Sequence, residues 1–220
     1  MISSNAVVIE DHIMMRSLIV RLCREHFPKG VIGEAETGEA GVALCRKLRP
    51  ALVLLDLDLP DGDGVDCVTH IRDAAKGAKI IVITSHTDEY AIQRSLNASV
   101  DAFVDKCTQP IETVGEAIAT VLGGRTYFSP VVARARERLR IDPLAFTKIL
   151  SNREQEILRL LGEGLSNEDV AARSGLSAQT VHSHRRNIMT KLGIHSTPQL
   201  IRYAVSKGFT RLRAGQENAK

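Results

Sequence analysis

The chain has few cysteines, no long apolar run and no secretory signal. Cys23, Cys45, Cys67 and Cys107 are its four cysteines, and they form no Cys-x-x-Cys pair and no cluster with histidine. This spacing argues against a structural zinc site and a disulfide framework, so we expect reduced thiols. No apolar run approaches the roughly 20 residues that cross a bilayer, and the first residues lead directly into a strand pattern. These absences predict a cytoplasmic protein that does not enter a membrane.

Charge is distributed unevenly along the chain. Residues 1–124 carry 12 Lys and Arg against 18 Asp and Glu, a net charge of −6, whereas residues 125–220 carry 17 against 8, a net charge of +9. An acidic segment is compatible with a metal and phosphoryl site. A basic segment of under 100 residues favours binding to a polyanion such as nucleic acid, because its cations release counterions from the phosphate backbone.

Apolar runs alternate with helical patterns over the first 124 residues and stop beyond them. The strand patterns lie near residues 5–9, 31–35, 51–56, 79–84 and 101–104, and a helical pattern follows each. Five β-α units predict an α/β domain of the flavodoxin-like kind, with a five-stranded parallel sheet. We therefore expect a first domain at 1–124, a linker at 125–148 that is rich in arginine, and an all-α domain at 149–220.

Polar residues follow four of these strand patterns. Glu10 and Asp11 come after the first, Asp56 after the third, and Thr84 and Lys106 close the fourth and fifth. Parallel sheets bind ligands beyond the carboxyl ends of their strands, so these residues should share one rim. Crowded carboxylates repel one another unless a hard divalent cation neutralises them, which points to Mg²⁺. An aspartate held by such a cation can accept a phosphoryl group, and Asp56 is the predicted nucleophile.

These residues occur in a recognisable order. Together with Pro60 and Gly64, four and eight positions after Asp56, and with the aromatic Phe103 before Lys106, the set resembles the receiver domain of two-component response regulators from about residue 5 to 122. The resemblance implies a flavodoxin-like fold, a sensor histidine kinase as the phosphoryl donor and Mg²⁺ as the cofactor.

The resemblance also implies a role for each site residue. Asp56 is the phosphoacceptor, and the Mg²⁺ ligands are the side chains of Glu10, Asp11 and Asp56 with the backbone carbonyl of Asp58. Thr84 and Lys106 contact the phosphoryl group. Thr84 and Phe103 form the switch, in which Thr84 moves toward the phosphoryl group and Phe103 swings inward.

The acidic run has two other possible interpretations. An EF-hand loop that begins at Asp56 would need an oxygen ligand at its fifth position and glycine at its sixth, where this chain has Pro60 and Asp61. The Asp56-Leu57-Asp58 pair also resembles the nucleophile motif of haloacid-dehalogenase-type phosphatases. That motif normally lies near the start of the chain and carries Thr or Val at the position of Pro60. Both differences argue against a phosphatase.

The region from about residue 150 predicts a second motif. Ser151 and Glu154 form a capping-box pattern at the start of a helix, Gly175 ends a short helix, and Ser177 caps the next helix, which runs to about Leu192. A short helix, a tight glycine turn and a capped helix are the layout of a helix-turn-helix. The outward face of the last helix can enter a major groove, with Arg186, His182 and Ser183 toward base edges and Thr180, Arg185 and Lys191 toward phosphates.

The same region resembles a known DNA-binding domain. The segments Gly164–Asn167, Thr180–His184 and Lys191–Ile194 resemble the LuxR-type helix-turn-helix that ends NarL/FixJ-class response regulators. His182 stands where that family often has lysine, and Ile13 stands where many receivers of this class have proline.

The two resemblances together imply a phosphorylation-dependent DNA-binding transcription regulator and not a metabolic enzyme. Its expected partners are a sensor histidine kinase and double-stranded promoter DNA, and a helix-turn-helix of this size needs a homodimer for useful specificity. The alternative is a constitutive DNA-binding regulator whose receiver serves only as a dimerisation module.

Overall fold

A computed structural model describes residues 5–210 of the chain, so the ends of the expected first and last domains, at 1–4 and 211–220, lie outside the described residues. The described chain divides into two compact units, one made of residues 5–87 and 91–135 and the other of residues 88–90 and 136–210. No helix within 5–210 is long and apolar enough to cross a membrane.

The first unit contains a parallel sheet flanked by helices. Its strands are β1 (Ala6–Ile9), β2 (Ile32–Ala35), β3 (Leu52–Leu55), β6 (Lys79–Thr84), β7 (Ala102–Asp105) and β8 (Tyr127–Phe128), with a separate hairpin of β4 (Asp58–Leu59) and β5 (Gly62–Asp63). Its helices are α1 (Ile13–His26), α2 (Gly38–Leu48), α3 (Gly64–Ala74), α4 (Glu89–Asn97, whose first two residues belong to the second unit) and α5 (Glu112–Leu122). The helix α6 (Pro130–Ile141) continues from this unit into the second.

The strand order in the sheet is β2-β1-β3-β6-β7-β8, and every pairing is parallel. The five predicted strands and the α/β class are confirmed. The structure adds a sixth strand, β8, in which Tyr127 and Phe128 pair with Ala102 and Phe103. Two residues are too few to show the alternation or the apolar run by which strands are recognised in a sequence.

Successive side chains of the central strands point to opposite faces of the sheet and pack into two separate cores. Val7 and Ile9 belong to the core on one face of the sheet, whereas Ala6 and Val8 belong to the core on the other. All four are buried, as expected for a strand that is covered by helices on both faces. This double covering explains why the strands are continuous apolar runs, and it leaves the strand ends as the place for polar groups.

The hairpin after β3 is anchored to the start of α2. The side chain of Asp61 accepts hydrogen bonds from the backbone N–H groups of Gly38 and Glu39, each at 2.9 Å, and so caps the start of α2. Burial opposes ionisation, but these hydrogen bonds outweigh it and hold the pKa of the Asp61 carboxyl below its usual value. The chain that follows Asp56 is thereby fixed against the neighbouring β2–α2 connection.

The second unit is helical throughout its described residues, as predicted. It comprises the end of α6 and the helices α7 (Phe146–Ile149), α8 (Asn152–Gly162), α9 (Asn167–Ser174), α10 (Ala178–Leu192) and α11 (Thr197–Ser206). The capping box of Ser151 and Glu154 is present at the start of α8, and Ser166 with Asp169 forms a second one at the start of α9. Gly175 ends α9 in the left-handed region at φ 67°, where a side chain would be strained.

Candidate functional site

The predicted rim residues lie at the carboxyl ends of the parallel strands. Glu10 follows β1, Asp56 follows β3 and Lys106 follows β7. The carboxylates of Glu10 and Asp56 are almost fully buried, whereas Asp11 is exposed. One oxygen from each of these three carboxylates lies within 4.8 Å of the others. The structure therefore brings together acidic residues that lie in two separate stretches of the sequence.

Lys106 joins two of these carboxylates. Its Nζ donates to Glu10 Oε2 at 2.6 Å and to Asp56 Oδ2 at 2.7 Å. Burial alone would lower the pKa of the Lys106 ammonium, but the negative charges of Asp56 and Glu10 outweigh it and raise the pKa. Burial raises the pKa of the Glu10 carboxyl, although Lys106 acts in the opposite direction. A charged ammonium therefore lies beside Asp56 at neutral pH.

The second oxygen of Asp56 is held by the backbone. Asp56 Oδ1 accepts from the N–H of Leu57 at 2.7 Å and from that of Asp58 at 3.3 Å. These bonds fix the carboxylate at the strand end.

The side chain of Asp58 is exposed, and its Oδ2 lies 3.4 Å from Nε2 of His86, a residue that was not predicted from the sequence.

The two predicted switch residues are both buried. Thr84 ends β6, and its Oγ1 accepts a hydrogen bond from the N–H of His86 at 3.2 Å. Phe103 lies in β7 with 1% of its surface exposed, so the predicted inward swing has no exposed starting position in this conformation. The switch roles of Thr84 and Phe103 stay predictions.

Arg16 reaches the same rim and was missed in the sequence. It is buried on the face of α1 that also carries Ile19, Val20 and Cys23. Its Nη1 donates to the carbonyl oxygen of Glu10 at 2.7 Å. The available signal was the charged residue at a position where the helical period requires an apolar one.

The helix-turn-helix of the second unit consists of α9 and α10. Val181 and Ile188 face the core of this unit, as the period predicts. The six predicted DNA-contacting residues lie on α10, and all except Arg185, which is partly buried, are exposed: Thr180, His182, Ser183, Arg185, Arg186 and Lys191.

Four of these six side chains are engaged within the unit. The Thr180 hydroxyl lies 2.8 Å from that of the cap residue Ser177, and the Ser183 hydroxyl donates to its own helix. Arg185 donates to the side chains of Asn167 and Thr197, and Lys191 donates to the buried Glu154 at 2.8 Å. Within residues 5–210, the side chains of His182 and Arg186 have no such partner, so they are free to contact a ligand.

His182 and Arg186 border an open groove of about 590 Å³ between α9, α10 and α11. Met189 and Ile194, which also pack against the core of the unit, line the groove as well. Asn167, His195 and Thr197 line it from outside α10. The last three were not predicted, because they lie outside α10 and carry no periodic signal of their own.

Comparisons with known proteins agree with both resemblances. Residues 6–117 match the response regulator receiver domain family, and residues 148–204 match the luxR family of bacterial regulatory proteins. The chain is 31% identical over 197 residues to the response regulator protein VraR of Staphylococcus aureus (strain Mu3), which covers 89% of this chain and 93% of VraR.

Two solved structures share the fold over most of the chain. One is RcsB from Salmonella enterica serovar Typhimurium bound to promoter P1flhDC in the presence of the phosphomimetic BeF3−, with a TM-score of 0.62, 25% identity and coverage of 93% of this chain and 98% of that one. The other shows two RcsB dimers bound to two parallel DNAs, with a TM-score of 0.60, 25% identity and coverage of 92% and 98%.

Proposed function

Because this chain belongs to the response regulators that combine a receiver domain with a LuxR-type DNA-binding domain, we propose that phosphorylation of Asp56 by a sensor histidine kinase controls its binding to promoter DNA. The family is one of bacterial transcription regulators. In this proposal the receiver corresponds to the first unit, including β8 and the first half of α6, and the DNA-binding domain begins near residue 149. The protein acts in the cytoplasm, where promoter DNA is found.

The observation that carries the proposal is the environment of Asp56. Its carboxylate is buried, is held by the N–H of Leu57 and lies 2.7 Å from the Lys106 ammonium. In the transfer, one carboxylate oxygen of Asp56 forms a bond to phosphorus as the bond between phosphorus and the histidine nitrogen of the kinase breaks. The imidazole leaves with that electron pair. Lys106 stabilises the negative charge of the phosphoryl oxygens, because an ammonium in a water-poor site acts strongly on nearby charge.

The acidic rim suits Mg²⁺. Glu10, Asp11 and Asp56 offer the hard oxygen donors that this cation prefers, and two of the three carboxylates are buried, where uncompensated negative charge is unfavourable. These side chains, with the backbone carbonyl of Asp58, would hold the ion. When it is bound, Mg²⁺ neutralises the phosphoryl oxygens and the acidic rim.

The DNA-binding part of the proposal rests on α10. Of the six predicted residues, His182 and Arg186 are the exposed side chains without a partner in the described structure, and we assign them to base edges. Thr180, Ser183, Arg185 and Lys191 complete the predicted surface, with Arg185 and Lys191 also bracing the unit through Asn167 and Glu154. The RcsB structures described above contain promoter DNA and dimers, which supports promoter DNA and a homodimer for this chain.

The test is phosphorylation of the purified chain by acetyl phosphate and Mg²⁺, followed by intact-mass measurement. We expect a gain of one phosphoryl group in the native chain and none in Asp56→Asn, which keeps the shape of the side chain but removes the nucleophile. The gain should be accompanied by tighter binding to a DNA fragment selected from random sequence. Phosphorylation of the Asp56→Asn variant would contradict the assignment of the phosphoacceptor, and unchanged DNA binding would support the constitutive regulator.

A further inference from the structure

Arg16 ties the acidic loop after β1 to the neighbouring strand. Its Nη1 donates to the carbonyl oxygens of Glu10 at 2.7 Å and of Asp11 at 3.3 Å. Its Nη2 donates to Glu36 Oε1 at 2.7 Å, and its Nε lies 3.7 Å from Glu34 Oε2. Glu34 lies in β2 and Glu36 in the connection that follows it, so one guanidinium spans two adjacent strand ends.

We propose that Arg16 is a positioning residue for the cation site: it holds the backbone of Glu10 and Asp11 so that their carboxylates stay close to that of Asp56. This inference rests on the proposed function, in which the three carboxylates bind Mg²⁺. Because the carbonyl oxygens of both residues point to the guanidinium, the two peptide planes are fixed, and the directions in which the side chains leave the backbone are fixed with them. Groups that orient the ligands of a metal commonly set its affinity.

The effect of Arg16 on the site is one of geometry and not of charge. A positive guanidinium near a cation site would by itself oppose cation binding. Glu36 and Glu34 lie against the same guanidinium and offset its charge. Lysine could not replace this arrangement, because an ammonium is a point charge and lacks the planar fork that reaches a carbonyl and a carboxylate in different directions.

The test is calorimetric titration of the full chain with MgCl2, which measures cation binding without any reaction. We expect Arg16→Gln to raise the Kd for Mg²⁺ by about 10- to 100-fold, the range found when groups that orient metal ligands are replaced. Arg16→Lys should fall between Arg16→Gln and the native chain. In phosphorylation by acetyl phosphate, Arg16→Gln should shift the Mg²⁺ concentration for half-maximal rate and restore the native rate once Mg²⁺ is saturating.

Arg72 supplies a matched control at the opposite end of the sheet. Its Nη1 donates to the carbonyl oxygen of Ala78 and its Nη2 to that of Ser99, which precede β6 and β7. Arg72→Gln removes a comparable forked arginine, so we expect a similar loss of thermal stability. The Kd for Mg²⁺ should stay at the native value in this variant.

A second pair of variants covers the case in which Arg16→Gln does not fold. Glu36 is 65% exposed, so Glu36→Gln should leave the fold intact while it removes one anchor of Arg16. Glu39→Gln removes the same charge from the exposed start of α2, without contact to Arg16. We expect Glu36→Gln to weaken Mg²⁺ binding a few-fold more than Glu39→Gln does.

The outcomes separate this inference from the proposed function. Equal Mg²⁺ affinity in the native chain and Arg16→Gln, or equal effects of Glu36→Gln and Glu39→Gln, would overturn the positioning role alone. A native chain that shows no Mg²⁺ binding would overturn the metal site of the proposed function, and the positioning role with it.

Discussion

Gly64 starts α3 directly against the backbone that follows β3. A Cβ at this position would lie 2.1 Å from the Asp56 carbonyl oxygen and 2.9 Å from the Leu57 Cα, distances that backbone atoms cannot accommodate without moving. We expect Gly64→Ala to displace the loop that carries Asp56, to lower the free energy of unfolding by about 1–3 kcal/mol and to slow phosphorylation by acetyl phosphate. Urea unfolding and intact-mass kinetics measure the two effects.

Gly115 provides the control for Gly64. It lies in α5, where the nearest atom to an added Cβ is a side-chain carbon of Leu22 at 3.9 Å, an ordinary contact. Gly115→Ala should therefore stabilise the protein by about 0.5–1 kcal/mol, because alanine favours the helix. Equal stability of the Gly64→Ala and native chains would show that the close approach at Asp56 is not rigid.

Asp101 gives the stability of the first unit a defined pH dependence. Its carboxylate accepts from Lys79 Nζ at 2.9 Å, from the N–H of Ile80 at 2.9 Å and from Arg72 Nη2 at 3.2 Å. Burial opposes ionisation, but these donors outweigh it and hold the pKa of Asp101 below its usual value of 3.8.

The sign of the Asp101 effect follows from that lowered pKa. A carboxyl whose pKa is lower in the folded state contributes stability above its unfolded pKa and loses it as the pH falls through the folded value. At pH 7 we expect Asp101→Asn to lower the free energy of unfolding by about 1–3 kcal/mol. The difference from the native chain should shrink below about pH 4. Urea titrations between pH 2.5 and 7 test this, and a difference that does not change with pH would contradict it.

Individual site residues were predictable where a strand end or a helix period marks them. Asp56 and Lys106 follow buried strands, so their convergence at one rim follows from the parallel sheet alone. The position of Arg16 on the apolar face of its helix was visible in the sequence, but its contact with Glu36 and the contact of Lys191 with Glu154 were not predictable, because they depend on which side chains meet across elements that are separated in sequence. Such pairings are set by packing in three dimensions, and local patterns do not contain that information.

At the scale of elements, the segment after α5 is the main difference between sequence and structure. Residues 125–148 are predicted as a linker, but β8 pairs with β7, and Val132 and Ala135 of α6 are buried in a core of the first unit. The prolines and arginines of this segment indicate a linker that is part helix and part tether. Val132 and Ala135 are separated by the exposed Ala133 and Arg134, and neither indicates which unit the helix packs against, so only the structure shows that the first half of α6 belongs to the sheet domain.

Val132 tests whether the first half of α6 is part of the folded first unit. Val132→Ala removes two methyl groups from a fully buried position, and we expect it to lower the free energy of unfolding of this unit by about 2 kcal/mol. Val31→Ala makes the same chemical change at a residue that is 55% exposed and should have little effect. Calorimetry of the full chain measures both, and equal melting of the two variants would indicate that α6 detaches before the sheet unfolds.

At the scale of the whole molecule, the two parts of the chain differ in net charge, and this difference matches their different functions. Residues 1–124 have a net charge of −6 and residues 125–220 a net charge of +9. The acidic part contains the carboxylates of the proposed cation site, and the basic part carries α10 with its exposed Arg186. An acidic receiver is repelled by the phosphate backbone, which favours approach of the chain to DNA through its basic part.

The salt dependence of DNA binding tests whether phosphorylation acts by pairing two chains. Each phosphate neutralised by a Lys or Arg contributes about −0.9 to the slope of log K against log salt concentration. If phosphorylation favours a dimer that places two α10 helices on DNA, the number of phosphate contacts roughly doubles. The slope of the phosphorylated chain should then be about twice that of the unphosphorylated one.

Fluorescence anisotropy with a DNA fragment selected from random sequence, measured between 50 and 200 mM NaCl, gives this slope. The range follows from the steep loss of affinity that such contacts produce over about this interval. Asp56→Asn treated with acetyl phosphate serves as the control and should keep the shallow slope. An unchanged slope together with tighter binding would mean that phosphorylation exposes α10 of a single chain, since affinity would then rise without additional phosphate contacts.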